Sequence, residues 1–365
     1  MRVSTCSGYA SKLVTVRNPS TGPEKKVMDA IPRLDFEIDE ELPASSLLYT
    51  FGGAEPVASV APGTLISTRT RDAFAGVLQH PGQLLSQVAD SRFLNPQTGP
   101  FFVEGAQPGD TVAVHFVDIV PCVKWGISAT IPFFGALTST PETATLQAPL
   151  PEMAWFYELD VEGGSVRYQA QESNLTLDLP MDPMHGTVGV TPPLHEVRSS
   201  LAPGCWGGNM DTPEIRKGST VYLGVNVEGA MLSFGDGHAR QSEGETCGVA
   251  VECAMDSQII VELVKGTYTA WPRIETDDFF MTTGSAKPME DAFRIAHVDM
   301  VNWTSELLSL STMDAYQLVT QTVLTPIANA CDKVYTVVCK MPKKFLPPVT
   351  ALGGMHQQLR AVAAG

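Results

Sequence analysis

Short stretches rich in Val, Ile, Thr and Phe recur along the 365 residues, punctuated by 31 glycines and 27 prolines. Runs such as TVAVHFVDIVP (111–121), STVYLGVNVEGAMLSF (219–234), CGVAVECAM (247–255) and QIIVELVKG (258–266) alternate in part between apolar and polar positions. Turn residues bound them, and the texture predicts a mostly β chain. The period changes late in the sequence. In PMEDAFRIAHVDMVNWTSELLSL (288–310), Ala292, Ile295, Ala296, Met300, Trp303 and Leu307 fall at helical spacing, which predicts an amphipathic helix. A second helix is predicted over 312–324 with Thr312 as its N-cap. The short SLST between them places the two helices side by side.

No internal repeat or low-complexity run divides the chain. The expected organisation is a leader or edge segment over 1–45, a β-sandwich core over 46–287, a helical element over 288–347 and a tail over 348–365. With 44% hydrophobic residues and mean hydropathy near zero, the composition is that of a globular protein. Lys and Arg total 24 against 40 Asp and Glu, a net charge of −16. Such a surface repels phosphate backbones, and no basic cluster offsets it, so nucleic acid is not an expected partner. No apolar run approaches the roughly 20 residues of a membrane span, and the N-terminus lacks a signal-peptide centre. The expectation is a cytoplasmic protein without a membrane partner. Seven widely spaced cysteines without a CxxC pair point to reduced thiols.

The chemistry concentrates in PGCWGGNMDT (203–212) and SFGDGHARQSEGE (233–245). Residues two apart on a strand share a face, which pairs Asn209 with Asp211, Asp236 with His238, and Glu243 with Glu245. Each motif alone reads more simply as a turn whose side chains cap their own backbone. Together, in a window of strand-like runs, they point to convergence. Crowded carboxylates in a buried place need a compensating cation. One histidine among oxygen ligands inclines the set toward Zn²⁺, with Ca²⁺ the alternative. A second imidazole is sought among His185, His80, His195 and His297.

At these residues the chain resembles the acetamidase/formamidase family. The likeness runs from TRTRDAFAG (68–76, with Asp72) through NPQTGPFFVEGAQPGDTVAVHFVDIVP (95–121) and PMHGTVGVTPP (183–193). It continues in the stretch from GGNMD to Glu252 and in the helical segments. The resemblance implies a jelly-roll-like β-sandwich with accessory C-terminal helices, and hydrolysis of short aliphatic amides to carboxylate and ammonia. Related members open small lactams. The chain departs from the family pattern at Cys205-Trp206, at QSEGE, and at PMHG, and the first and third departures are expected to reshape the acyl pocket.

On this reading a divalent cation is held by Asp211, Asp236 and His238, Glu245 or Glu252 shuttles a proton, and Asn209 binds the substrate amide or orients a ligand. Other readings are a metal-containing binding protein without turnover, a Ca²⁺ site that stiffens loops, and an acyl-enzyme on Cys205. A free Cys is more simply a small buried hydrophobe, and Arg216, Lys217 and Arg240 are expected as surface charges. No GxSxG elbow or Gly-Gly-Ser-Ser run is present. Exposed sheet edges make a homo-oligomer an expectation.

Overall fold

The computed structural model describes residues 31–39, 41–138, 146 and 148–365, with the backbone strand alone for 13–17. Most of the expected leader over 1–45 lies outside these residues. Its described parts include Leu13–Arg17 and Arg33–Glu37, the first two strands of a ten-stranded sheet. That sheet continues through Thr64–Thr70, Met255–Val264, Thr111–Pro121, Thr220–Gly224, Arg273–Glu275, Phe279–Ala286, Tyr335–Pro342 and Ile327–Asn329. A five-stranded sheet runs Gly207–Asn209, Met184–Gly189, Leu232–His238, Gln97–Val103 and Ala58–Val60. Four further strands from Trp125–Thr130 to Thr176–Pro180 form a smaller sheet. The chain is therefore mostly β, with its long helices in the C-terminal part, as its period-two texture predicts.

The strand Thr111–Pro121 shows why alternation was only partial. Val112, Val114 and Phe116 enter the main core, which also takes Phe101, Val188, Leu232 and Phe234 from the five-stranded sheet. Ala113, between them, packs on the opposite face with Leu65, Tyr222, Ile260 and Leu359. A strand buried on both faces reads as a nearly continuous apolar run. Leu359 belongs to the helix Met355–Ala364, so the segment expected as a tail covers the outer face of the ten-stranded sheet. His356 of that helix and His115 of the sheet both meet the Thr220 hydroxyl at 2.9 Å.

The late helices form close to the expected bounds, Met289–Leu308 and Thr312–Thr322. The second is capped by Ser311, not Thr312, because the Ser311 hydroxyl accepts the Asp314 amide at 3.1 Å. The run 247–255 forms no strand until Met255. Its backbone joins Ile127 on one side and Gly237 on the other, at Glu252 N–Ile127 O 2.8 Å and Cys253 N–Gly237 O 2.8 Å. It bridges two sheets instead of extending one. Among the described residues no helix is long and apolar enough to cross a membrane. The six described cysteines, Cys122, Cys205, Cys247, Cys253, Cys331 and Cys339, are all free thiols.

The helix Met289–Leu308 is fastened to the sheet by a buried ion pair. Arg273 donates to both Asp299 oxygens, at 2.9 and 2.6 Å, and its guanidinium lies 4.7 Å from the Trp303 ring centre. Removing one partner leaves the other charge buried alone. Asp299→Ala is expected to lower unfolding free energy by about 3–5 kcal/mol in a denaturant titration; a loss within experimental error would show that the pair contributes nothing net.

Candidate functional site

Three of the site carboxylates stand on left-handed backbone. Asp211, Asp236 and Glu245 have φ of 45°, 61° and 43°, a region that side-chain-bearing residues adopt at a cost and that clusters at functional sites. Asp211 follows the strand Gly207–Asn209, and Asp236 stands opposite Gly186 between the pairs His185–Gly237 and Thr187–Gly235, where the two strands keep one register. The third pair divides. Glu245 turns inward after Gly244 (φ 85°), while Glu243 stays exposed near Glu214 and Lys340.

The inward groups line a cavity of about 370 Å³ with five carboxyl groups, Asp211, Asp236, Glu245, Glu252 and Asp332, and one imidazole, His238. His238 Nε2 lies 3.3 Å from Asp236 Oδ1 and 3.2 Å from Glu252 Oε2. Its other nitrogen, Nδ1, is 2.9 Å from Gln241 Oε1. Gln241 Nε2 donates to the carbonyls of Asp211 at 2.6 Å and Ala328 at 3.2 Å, which fixes the amide's orientation. Oε1 therefore accepts from Nδ1–H, and Nε2 is the nitrogen presented to the cavity.

Neutral amides hold the carboxylates in place. Asn209 Nδ2 donates to Asp211 Oδ2 at 3.0 Å and Asp332 Oδ2 at 2.8 Å, and Asn329 Nδ2 reaches the same two oxygens at 2.5 and 2.6 Å. Asn95 Nδ2 meets Asn209 Oδ1 at 2.7 Å and Asp236 Oδ2 at 3.2 Å, and the Thr187 hydroxyl reaches Asp236 Oδ2 at 3.0 Å. Glu252 Oε1 accepts the Ala250 amide at 3.0 Å. Asp211 Oδ1, the second oxygen of its carboxyl, is buried without a hydrogen-bond partner, and Glu252 Oε2 meets His238 Nε2 alone.

Burial dominates the site's electrostatics. It pushes Glu245 up to about 8, with the neighbouring Glu252, Asp332 and Asp236 adding to the shift against His238. It raises Glu252 to about 7 and Asp332 to about 6. Asp211 rises well above the usual carboxylate range through burial and then through Glu245, Asp236 and Asp332. Burial acts on Asp236 too, but His238 and hydrogen bonds outweigh it and bring the net value below the ordinary one. For His238 burial is overcome by Glu252 and Asp236, which hold the ring cationic well above its usual range.

These residues fit a divalent cation. Asp211, His238 and Glu245, and likewise Asp236, His238 and Glu252, each offer ligand atoms within 4.8 Å of one another. In the first triad Asp211 Oδ1 has no protein donor, and in the second Glu252 Oε2 meets only His238, itself a member of the triad. A Cβ on Gly186 would stand 2.4 Å from Asp211 Oδ1, 2.6 Å from Asp236 Oδ2 and 2.8 Å from His238 Cε1. Glycine alone leaves that point open, between the three residues expected as ligands.

The other expected histidines do not join the cavity. His185 is buried with both ring nitrogens engaged, Nδ1 with Gly235 O at 2.9 Å and Nε2 with Ser257 Oγ at 2.7 Å, and burial lowers its pKa to about 4. His80 and His195 are exposed, and His297 is bound to Phe293 O and Thr325 on its helix flank. Asp72 spends its Oδ1 on the Phe74 and Gly76 amides and lines a neighbouring cavity. Cys205 lines neither cavity and burial raises its thiol pKa, which removes the basis for an acyl-cysteine there. Trp206 packs against the main core with Arg198 over its ring. The Cys205-Trp206 departure thus does not reach the cavity wall, whereas PMHG reaches the site through Gly186 alone. Arg216, Lys217 and Arg240 lie on the surface side, pairing with Asp182, Asp118 and the Pro180 carbonyl.

Asp332, Asn329, Asn95, Thr187, Gln241, Lys287 and Gly186 were not expected at the site. Asn329 and Asp332 carry a local signal, since Asn329 Oδ1 accepts the Cys331 and Asp332 amides in an Asx turn, but it is a signal shared with any polar turn.

Two outcomes follow from this geometry. Gly186→Ala is expected to weaken divalent-cation affinity at least tenfold, measured by competition with a chelating dye, with the circular-dichroism spectrum retained; undiminished affinity would place the cation elsewhere. In chelator, the folded chain carries more protons than the unfolded one between the usual 4.5 and about 8 for Glu245, 4.5 and about 7 for Glu252, and 3.8 and about 6 for Asp332. Its thermal midpoint is therefore expected to fall as pH rises across that window. Saturating cation should flatten the dependence, and a midpoint rising with pH in chelator would contradict the electrostatics above.

Residues 194–293, which include GGNMD, GDGH, Glu245 and Glu252, match the Acetamidase/Formamidase family. The crystal structure of an acetamidase from Yersinia enterocolitica superposes with a TM-score of 0.78 at 40% identity, covering 83% of this chain and 90% of that one. An acetamidase from Bacillus halodurans gives 0.74 at 30% identity, covering 86% and 98%. An acetamidase of Mycolicibacterium smegmatis is 39% identical over 85 residues, a stretch spanning 23% of this chain and only 20% of that relative. The extent of the match to the Yersinia structure, with the family match over 194–293, shows that the chain belongs to the acetamidase/formamidase family of amidase hydrolases.

Proposed function

We propose that this protein hydrolyses small linear carboxamides to carboxylate and ammonia, using a divalent cation at the cavity floor. The observation that carries the reading is the convergence of ligand atoms into two triads that share His238, with Asp211 Oδ1 buried and without a hydrogen-bond partner. Asp211, Asp236 and His238 would hold the cation. When bound, it would polarise the amide carbonyl and lower the pKa of a water to about 7. Zn²⁺ suits a set with one imidazole among carboxylates; Ca²⁺ prefers oxygen alone.

The chain's own groups would do the rest. Glu252 and Glu245, which line the cavity beside His238, are placed to accept a proton from water and return it to the departing nitrogen. Asn209 acts by orientation. Both its Nδ2 hydrogens are engaged by Asp211 and Asp332, so it fixes carboxylates and does not bind substrate. Gln241 keeps His238 in the tautomer that presents Nε2.

Ammonia release from acetamide, with and without chelator and added Zn²⁺, tests the whole. Asp236→Ala and His238→Ala are expected to lose both bound metal, by elemental analysis, and turnover. Glu252→Gln should keep the metal and lose on the order of 10²–10⁴ in kcat. Ligand-dependent thermal stabilisation without ammonia would favour a binding protein.

A further inference from the structure

The cavity is larger than the amides that name the family. It encloses about 370 Å³, and at about 30 Å³ per water that is roughly a dozen waters. Formamide or acetamide displaces on the order of three of them. Most of the space would stay wet.

The lining is also segregated by chemistry. Asn95, Asn209, Asp211, Asp236 and Asp332 are joined by hydrogen bonds into one polar floor. Phe74, Leu94, Ile131 and Val249 belong to one packed apolar cluster, Phe133 and Phe134 add to this apolar wall, and Lys287 and Lys333 also line the cavity. A substrate that fills such a space carries its amide at one end and apolar carbon at the other. Water trapped against these side chains gains nothing from them, whereas each methylene buried there improves transition-state binding about fourfold.

We infer that the preferred substrates are primary amides whose acyl group carries an apolar chain or ring of roughly five to nine carbons, a size suited to pockets of this volume. The inference rests on the amide-hydrolase reading and adds the acyl group to it. Phe133, which lines the cavity and is 42% exposed, stands where the cavity meets solvent.

The metal-replete protein is assayed for ammonia release from formamide, acetamide, hexanamide and phenylacetamide. The kcat/KM for hexanamide and phenylacetamide is expected to exceed that for acetamide at least tenfold. Val249→Trp, which fills the apolar end, should lower the ratio of phenylacetamide to acetamide at least tenfold. Ala73→Leu makes the same test should the larger residue prevent folding. Phenylacetate should raise the thermal midpoint more than acetate at equal concentration, a binding readout independent of turnover. Preference for formamide or acetamide would overturn the inference and leave the amide-hydrolase reading standing. Failure of every amide would remove that reading, and this inference with it.

Discussion

Five largely buried carboxyl groups and one imidazole share the floor of one cavity, and the rest of the structure is arranged around that excess of negative charge. Like charges at such distances in a buried place cannot all be ionised together without a counter-charge. Without a cation the cluster relieves the conflict with protons, which is why Glu245, Glu252, Asp211 and Asp332 all rise. A bound dication answers the same need without protonation. The floor is thus a place where metal and proton compete, a physical setting suited to moving protons during hydrolysis.

The protein satisfies this cluster only halfway, and in a regular manner. Asp211 Oδ2 receives two amide donors and its Oδ1 none; Glu252 Oε1 receives a backbone amide, while its Oε2 faces only the His238 ring. One oxygen of each carboxyl is anchored, so the other is aimed. The donors are the uncharged amides of Asn209, Asn329 and Ala250, which orient a carboxylate without neutralising it. A lysine or arginine in their place would supply the missing charge and close the site to a cation.

Rigidity comes from depth in the fold. The floor is carried on Gly207–Asn209, Met184–Gly189 and Leu232–His238, neighbouring strands whose inner residues enter the main core beneath the ten-stranded sheet. Glu252 sits on the segment that crosses between sheets, tied by its amide to Ile127 and by its successor to Gly237. Asn329 and Asp332 arrive from the far edge of the large sheet. Left-handed backbone at Asp211, Asp236 and Glu245 persists because packing on every side leaves these residues no relaxed alternative.

By itself the sequence determined the mostly β class, the two late helices, and the convergence of Asn209, Asp211, Asp236, His238, Glu245 and Glu252. Those properties are written in local period and in closely spaced motifs, which follow from backbone geometry and from short stretches of chain. It misread Glu243 as a partner of Glu245, because same-face pairing assumes extended backbone and Gly244 and Glu245 are left-handed. It also treated 348–365 as a tail, since an amphipathic helix declares its partner only when the sheet face it covers, with Ala113 and Tyr222, exists. Asp332, Asn329, Asn95 and Gly186 were decided by tertiary structure alone. Asn329 and Asn209 are separated by 120 residues yet donate to the same oxygens, and no local pattern encodes a hydrogen bond that sheet order creates. The cavity's volume and its segregation into floor and wall are likewise properties of packing between distant segments, which is why the acyl group is legible only in the folded chain.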